Sequence, residues 1–294
     1  MEFIKYVILG ILQGITEPLP ISSSGHIYLF KSLFNTNMFN DFNLEIFLNF
    51  ASFIAIFLIF RKEVIELVSG FFKYLFNKDS KAKDLFNYCM LIVIGTLPVG
   101  FLGLLLKEPL ENLLYKNVFL VGVGFLLTAV ALIVVMNSNG TKEDKDLTIK
   151  DALIVGLFQA IALTPGISRS GLTLVGCLLC GMSRKTSLKY SFMLYFPVSI
   201  VTMLLGIGDI ITGGITIGLL GYYLIGMVFA FIGTYYAYKW LTKTVEDGKL
   251  WHFSLYLFTV AIFTIIYFTC LKDNRITFLV IFTILRIKYT SYNY

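Results

Sequence analysis

The chain carries one short polar pattern twice, as GILQGITEPLPISSSGH at residues 10–26 and as GLFQAIALTPGISRSGL at residues 156–172. The two copies align without a gap, with identical residues at Gly10 and Gly156, Gln13 and Gln159, Ile15 and Ile161, Ile21 and Ile167, Ser22 and Ser168, Ser24 and Ser170, and Gly25 and Gly171. Each copy interrupts an apolar segment with Pro, Gly and serine. Matched breaks of this kind in two halves of a membrane chain indicate a site near the middle of the bilayer.

The composition places the chain among integral membrane proteins. Hydrophobic residues make up 57% and charged residues 14% of the sequence, with a mean hydropathy of +0.81, whereas a soluble domain carries about 25% charged residues. The net charge of +6 is typical of loops that face an anionic membrane surface. Lys and Arg are not interleaved with aromatic residues in a polar domain, so we expect membrane lipids and no nucleic acid as partners.

Six apolar runs are long enough to cross about 30 Å of hydrocarbon as helices. We predict spans at 42–60, 86–106, 118–136, 187–207, 216–238 and 252–271, with charged loops at 61–84, 107–116 and 141–150. The two repeat segments, 2–34 and 151–182, are too short on either side of their breaks to span. They are predicted to form re-entrant helix hairpins whose polar breaks are buried in protein.

The predicted fold is therefore an all-α polytopic membrane protein in which a re-entrant hairpin and three transmembrane helices occur twice. Because three is an odd number, the second repeat should be inverted relative to the first, and the two hairpin tips can meet. We predict one membrane domain at 1–271, with repeat one at 1–140 and repeat two at 150–271, followed by a tail at 272–294 whose placement the sequence leaves open. The sequence is also compatible with a homodimer.

Positive charge is distributed unequally between the two sides of this topology. Lys and Arg concentrate at 61–83, 142–150, 184–189 and 239–249, which all fall on one side. The positive-inside rule makes that side cytoplasmic. The first hairpin then enters from the outer face of a bacterial plasma (inner) membrane, and we expect the site to open to that face.

If the tips meet, they bring together Glu17, Ser22, Ser23, Ser24, His26, Ser168, Arg169, Ser170 and Thr173. This set suits a phosphate, because Arg offers a planar fork of donors and the hydroxyls and the N–H groups of Gly25 and Gly171 can hold further oxygens. A serine near an imidazole is a nucleophile–base pair, and His26 is itself the alternative nucleophile. Glu17 can orient His26, carry protons or, with Gln13 one helical turn away, bind Mg²⁺ or Ca²⁺ together with substrate phosphates.

Simpler explanations apply to single residues of this set. Ser and Thr in membrane helices commonly bond to their own backbone or to a neighbouring helix, and a Pro–Gly break can be a kink. Glu17, His26 and Arg169 together are harder to explain in this way, because ionisable groups are costly at membrane depth.

The two motifs resemble those of the bacterial undecaprenyl-diphosphate phosphatase family, the bacitracin-resistance type. The resemblance rests on Q-x-x-x-E at Gln13–Glu17, P-x-S-S-x-G-H at Pro20–His26 and P-G-x-S-R-S-x-x-T at Pro165–Thr173, and it extends over about residues 1–271. The first motif position is Gln13 here, where the family has Glu or Gln. Asn49 stands where many members have His.

The resemblance implies hydrolysis of a C55 polyprenyl diphosphate to the monophosphate, which recycles the lipid carrier for cell-wall synthesis and gives bacitracin resistance. The catalytic residues are then Glu17, Ser23, His26 and Arg169, with Ser23 the first choice of nucleophile. The predicted substrate-binding residues are Ser22, Ser24, Gly25, Gly166, Ser168, Ser170, Gly171 and Thr173, and the predicted metal ligands are Gln13 and Glu17.

Transport is the competing function. Inverted repeats with broken helices are also a transporter architecture, and the same site would bind a lipid phosphate for flipping. A polyprenyl-phosphate flippase needs no nucleophile, so it should tolerate the loss of Ser23 and His26. A purely structural membrane subunit is disfavoured by Glu17, His26 and Arg169.

Overall fold

The computed structural model describes residues 2–34, 42–113, 117–213 and 217–272, and within these ranges the chain is almost entirely helical. The helices are α1 (Glu2–Thr16), α2 (Ser23–Phe34), α3 (Phe42–Asn77), α4 (Lys83–Leu113), α5 (Val118–Val135), α6 (Ile149–Ile161), α7 (Arg169–Leu179), α8 (Arg184–Gly213), α9 (Ile217–Glu246) and α10 (Trp251–Ile266). A π-helical turn at Tyr267–Lys272 extends α10. The predicted tail lies outside the described residues from 273 onward.

Six of the described helices, α3, α4, α5, α8, α9 and α10, are long and apolar enough to cross a membrane. The prediction of an all-α multi-pass membrane protein is thereby confirmed. The predicted loop at 61–84 is wrong, because α3 continues as a helix to Asn77. Its extension packs on α4, where the ring of Phe71 stacks on that of Phe86 at 5.2 Å between centroids. Charged residues mark where a helix leaves the hydrocarbon, and without a proline they do not end it.

Both repeat segments are broken into two short helices. The first break lies between α1 and α2, at residues 17–22, and the second lies between α6 and α7, at residues 162–168. Pro18, Pro20 and Pro165 stand in these breaks, where they cannot donate a backbone hydrogen bond to continue the helix. The longest of the four helices, α1, has 15 residues and so extends about 22 Å, less than the hydrocarbon thickness of about 30 Å. The inversion of one repeat relative to the other stays a prediction.

Each hairpin packs on a spanning helix of the other repeat. Helix α1 lies so close to α9 that a methyl group at Gly10 would be 2.3 Å from the carbonyl oxygen of Gly226. Helix α6 lies equally close to α4, where a methyl group at Gly156 would be 2.4 Å from the carbonyl oxygen of Gly95. Gly10 and Gly156 occupy the same position of the repeated pattern. The two repeats are therefore interlocked through backbone contacts that only glycine permits.

The two hairpin tips meet beside α5. A methyl group on Gly25 would lie 2.6 Å from the ring of Phe125 and 2.9 Å from the Cα of Gly166. Gly166 itself has a φ of +85°, and a Cβ there would be 2.3 Å from the carbonyl oxygen of Val121. The polar breaks of the two repeats thus lie side by side, inside the protein, against the same helix.

The substitution Gly10→Ala should destabilise the protein, because the added methyl group overlaps the Gly226 carbonyl and forces α1 away from α9. Overpacking of this kind lowers the free energy of unfolding by about 1–3 kcal/mol. Thermal denaturation of the detergent-purified protein measures the effect. Gly221→Ala on α9 is the matched control, since a Cβ there meets no atom within 4 Å. Equal melting temperatures for the two variants would contradict the close approach.

Candidate functional site

A cavity of about 310 Å³ lies where the hairpin tips meet. Its wall contains the predicted site residues Glu17, Ser22, Ser23, Ser24, Ser168, Arg169, Ser170 and Thr173. Helices α3, α4, α6 and α8 supply the remaining wall. The structure therefore brings both polar breaks into one cavity of a size that suits a small anionic ligand group.

The carboxylate of Glu17 is the centre of the hydrogen-bond network at the tips. The Ser23 hydroxyl donates to its Oε2 at 2.6 Å, and the Gln13 amide donates to the same oxygen at 3.1 Å. Arg169 donates from the second hairpin to Oε1 at 2.9 Å. The Gln13 amide also donates to Oδ1 of Asn49, at 2.6 Å. Three donors thus surround a side chain that is only 7% exposed.

The guanidinium group of Arg169 is held from two sides. It pairs with Glu17 on one side, and on the other its central carbon lies 4.7 Å from the ring centroid of Tyr195 on α8, a distance typical of a cation–π contact. The Arg169 side chain is still 29% exposed and lines the cavity. Because a guanidinium carries five N–H donors, Arg169 can bind an anion in the cavity without giving up Glu17.

Ser22 and Ser168 have the same local role in the two tips. The Ser168 hydroxyl accepts a hydrogen bond from the N–H of Gly171 at 3.1 Å, and the Ser22 hydroxyl accepts one from the N–H of Gly25 at 3.3 Å. Both are bonds to the residue three positions ahead, which is the pattern of a helix N-cap. The repeated Ser and Gly are thus explained by capping. The caps leave the positive ends of α2 and α7 at the tips, which favours an anion there.

His26 does not line the cavity. Its Nδ1 bonds to the carbonyl oxygen of Ser22 at 2.8 Å, and its Nε2 bonds to the hydroxyl of Tyr256 on α10 at 2.8 Å. A carbonyl can only accept, so in a neutral ring Nδ1 carries the proton and Nε2 accepts from Tyr256. Both nitrogens are engaged, and the group bonded to the Ser23 hydroxyl is Glu17.

Three predicted substrate-binding glycines also lie outside the cavity wall. Gly25 and Gly166 form the contact between the tips, and the N–H of Gly171 is used by the cap of α7. Ser170, which does line the cavity, joins the tips by donating to the carbonyl oxygen of Leu19 at 2.9 Å. Gly25, Gly166 and Ser170 therefore hold the tips together and Gly171 caps its own helix, so this arrangement does not provide direct binding of substrate by the glycines.

Helix α8 contributes a part of the cavity wall that was not predicted from the sequence. Ser191, Tyr195, Ser199 and Thr202 all line the cavity. Their spacing of three or four residues places them on one face of a helix, and this polar stripe within an apolar run was the signal that would have revealed them. The Ser191 hydroxyl is also hydrogen-bonded to that of Thr173, so α8 is tied to the second hairpin.

The groups around Glu17 do not by themselves form a cation site. Its Oε1 accepts from Arg169, and its Oε2 accepts from Ser23 and Gln13. Within the described ranges, no group of three or more His, Cys, Asp or Glu residues is arranged to hold a metal ion. Hard cations need several oxygen ligands, so the predicted pair of Gln13 and Glu17 does not fit a divalent cation held by the protein alone.

The substitution Thr128→Val should loosen the second tip. The buried Thr128 hydroxyl on α5 accepts from the N–H of Ser168 at 3.1 Å, and valine would leave that N–H unpaired at a cost of about 1–3 kcal/mol in the free energy of unfolding. Thermal denaturation is the measurement. Thr259→Val on α10 is the control, because that exposed hydroxyl bonds only to its own helix at Leu255. A Thr128→Val protein as stable as the control would contradict the anchoring role.

Comparison with known proteins gives one consistent result. The family model described as bacitracin resistance protein BacA matches residues 6–263. Undecaprenyl-diphosphatase 2 of Bacillus thuringiensis (strain Al Hakam) is 42% identical over 264 residues, which cover 90% of this chain and 97% of that protein. Undecaprenyl-diphosphatase of Oceanobacillus iheyensis is 39% identical over 265 residues, which cover 90% and 96%. The chain, with its interlocked helices and paired polar tips, thus belongs to the BacA family of bacitracin resistance proteins.

Proposed function

We propose that this protein hydrolyses undecaprenyl diphosphate to undecaprenyl phosphate and inorganic phosphate, as the names of its relatives state for those proteins. The observation that carries the proposal is the hydrogen bond from the Ser23 hydroxyl to the buried carboxylate of Glu17, which also pairs with Arg169. A hydroxyl that can attack phosphorus, a carboxylate that can take its proton and a cation that can bind phosphate thus line one cavity. Recycling of the lipid carrier for cell-wall synthesis, and with it bacitracin resistance, follows from such an activity.

In the first chemical step, the Ser23 oxygen attacks the terminal phosphorus while Glu17 takes the hydroxyl proton. The bond from that phosphorus to the bridging oxygen breaks, and its electron pair leaves with the lipid monophosphate. Glu17 gives this proton to the released monophosphate. In the second step, water attacks the phosphoserine with Glu17 as the base, the bond from phosphorus to the Ser23 oxygen breaks, Glu17 returns the proton to that oxygen, and inorganic phosphate leaves. Arg169 neutralises the charge on the transferred phosphoryl group in both steps, which is the largest contribution in reactions of this type.

His26 has a different place in this proposal from the one that the sequence suggested. Its ring connects the start of α2, at the carbonyl of Ser22, with α10 at Tyr256. We propose that His26 positions Ser23 by fixing the first turn of α2, and that Glu17 is the base. The alternative in which His26 is the nucleophile requires its Nε2 to give up the hydrogen bond from Tyr256.

A membrane site suits this substrate for a simple physical reason. The isoprenoid chain is apolar and the diphosphate is strongly anionic, so the two parts of one molecule need lipid and a polar, cationic pocket at the same time. The transporter alternative gains no support, since a flippase has no need of a serine that is hydrogen-bonded to a buried carboxylate. The site therefore favours hydrolysis.

The substitution Ser23→Ala should reduce phosphate release by about three orders of magnitude or more, because it removes the attacking atom. Arg169→Ala should cost about 10²–10³-fold through lost stabilisation of the transition state. The assay is phosphate release from a C55 or C15 polyprenyl diphosphate by detergent-purified protein. Ser32→Ala is the matched control, because Ser32 lies on the same helix as Ser23 and does not line the cavity.

Two outcomes would change the proposal. If Ser23→Ala retained a tenth or more of the activity of the control, the nucleophile would be His26, and phosphate would be trapped on that residue. If the folded wild-type protein released no phosphate and only bound the lipid, the proposed hydrolysis would be wrong and transport would be the better description.

We also infer the orientation of the chain in the plasma membrane. The basic segments at 78–83, 142–150, 184–189 and 239–249 lie at helix ends on one side of the predicted topology, and the positive-inside rule places them in the cytoplasm. The cavity then opens to the outer face, where the first hairpin enters. A homodimer, with which the sequence is compatible, stays a prediction.

Cysteine labelling tests this orientation. In a variant without the four native cysteines, Ser80→Cys should resist a membrane-impermeant maleimide in intact cells and react after permeabilisation, since residue 80 is exposed in the connection between α3 and α4. Gly218→Cys is the matched probe for the opposite side, because it is exposed at the start of α9 and has no neighbour within 4 Å of a Cβ. Labelling of Ser80→Cys from outside would reverse the proposed topology.

A further inference from the structure

The side chain of Gln159 on α6 is buried without hydrogen bonds. The residue is only 1% exposed, and neither its amide oxygen nor its amide nitrogen has a partner among the residues that the structure describes. It lines the cavity together with Ser23 and Arg169. A buried amide with no partner is costly and rare, and in a native protein it calls for an explanation.

The other repeat shows that the same position can be satisfied. Gln13 occupies the equivalent position of the pattern, and its amide donates to both Asn49 and Glu17. The residue equivalent to Glu17 in the second hairpin is Leu163, which offers no acceptor. A glutamine at this position is therefore not held in place by the hairpin fold as such. In the second hairpin, its two donors and its acceptor remain available to whatever enters the cavity.

Gln159 shares the cavity wall with both polar and apolar residues. Glu17, Ser23 and Arg169 are polar and lie at the two tips. The apolar residues come from α4, from the second break and from α8, namely Val99, Ala162, Leu163, Val198 and Met203. A diphosphate that presents its terminal phosphate to the tips and its lipid chain to these apolar residues has a second phosphate that needs a polar partner.

We propose that Gln159 is a specificity-determining contact that donates its amide N–H groups to the phosphate that stays on the lipid. The proposal rests on the proposed function, because it assigns the second phosphate of the same substrate. When the terminal phosphorus–oxygen bond breaks, negative charge develops on the former bridging oxygen, and a neutral amide donor stabilises it. A neutral group also releases the monophosphate product more readily than a second arginine would.

This contact explains selection of a diphosphate over a single phosphate. A ligand with one phosphate group satisfies Arg169 and leaves the Gln159 amide unpaired, whereas a diphosphate satisfies both. A site built to hydrogen-bond one group of its substrate discriminates strongly against a ligand that lacks the group. Gln159 is therefore expected to matter for pyrophosphate-type ligands and to be indifferent to inorganic phosphate.

The test uses Gln159→Met, which keeps the length of the side chain and removes its polar atoms. With a C15 or C55 polyprenyl diphosphate, kcat/KM should fall about 10- to 100-fold, as expected for a lost hydrogen bond to a charged group. Inhibition by pyrophosphate should weaken by a similar factor, while inhibition by inorganic phosphate stays within twofold of wild type. Without any ligand, the melting temperature of Gln159→Met should be equal to or above that of wild type, because the unpaired amide is gone.

Ser187→Ala is the matched control. The Ser187 hydroxyl on α8 is also buried without a partner within the described ranges, and it lies outside the cavity wall. Its removal should leave kcat/KM and both inhibition constants unchanged. A purely structural role for Gln159 predicts the opposite pattern, with a lower melting temperature and equal changes toward pyrophosphate and inorganic phosphate.

The outcomes separate this proposal from the proposed function. Wild-type kcat/KM and pyrophosphate inhibition in Gln159→Met, in a preparation whose wild type hydrolyses the lipid, would overturn the contact and leave the phosphatase intact. If wild type hydrolysed nothing but was stabilised against heat by pyrophosphate, and Gln159→Met lost that stabilisation, the phosphatase would be wrong and the contact would stand.

Discussion

The ion pair between Glu17 and Arg169 joins two helix hairpins whose four helices are each shorter than the hydrocarbon thickness of a membrane. Its partners are 152 residues apart in the chain, and the Glu17 side chain is almost fully buried. A single buried charge at this depth would be costly. Removing one partner of a buried pair lowers the free energy of unfolding by about 3–5 kcal/mol, because it leaves an uncompensated charge. The ion pair therefore stabilises the contact between the two tips. The chemistry proposed for the cavity uses the same two groups.

The backbone makes this meeting possible before any side chain takes part. Apolar helices gain little from contacting one another in lipid, so close packing of small residues has to hold them. Gly10 and Gly156 let each hairpin lie against a helix of the opposite repeat, at Gly226 and Gly95. The repeats cannot drift apart without losing both contacts. The tips then have a fixed separation, and Gly166 allows the last approach to α5.

In the repeated pattern, the positions that are identical and the positions that differ have different roles. Positions that are identical in both copies mostly build the scaffold, as the capping bonds of Ser22 and Ser168 show. The groups proposed to react stand at positions that differ, since Ser23 is matched by Arg169 and Glu17 by a leucine. One asymmetric site thus arises from two similar halves. Glutamine is the exception, since it is identical in both copies, and among the described residues only the side chain of Gln13 has hydrogen-bond partners.

The sequence alone determined the apolar spans, the two broken segments and the set of polar residues at their tips. These features follow from local patterns, because hydrophobic length and proline breaks act over a few residues. The same patterns failed at residues 61–77, where charge indicates departure from the lipid and says nothing about the end of a helix. Only the tertiary structure decided that Ser23 bonds to Glu17 while His26, one turn further along, bonds to α10. It alone brought the hydroxyl stripe of α8 to the cavity and left Gln159 without a partner. Those outcomes depend on which helices of different repeats lie against each other, and hydrogen bonds between distant segments leave no local signal in the sequence.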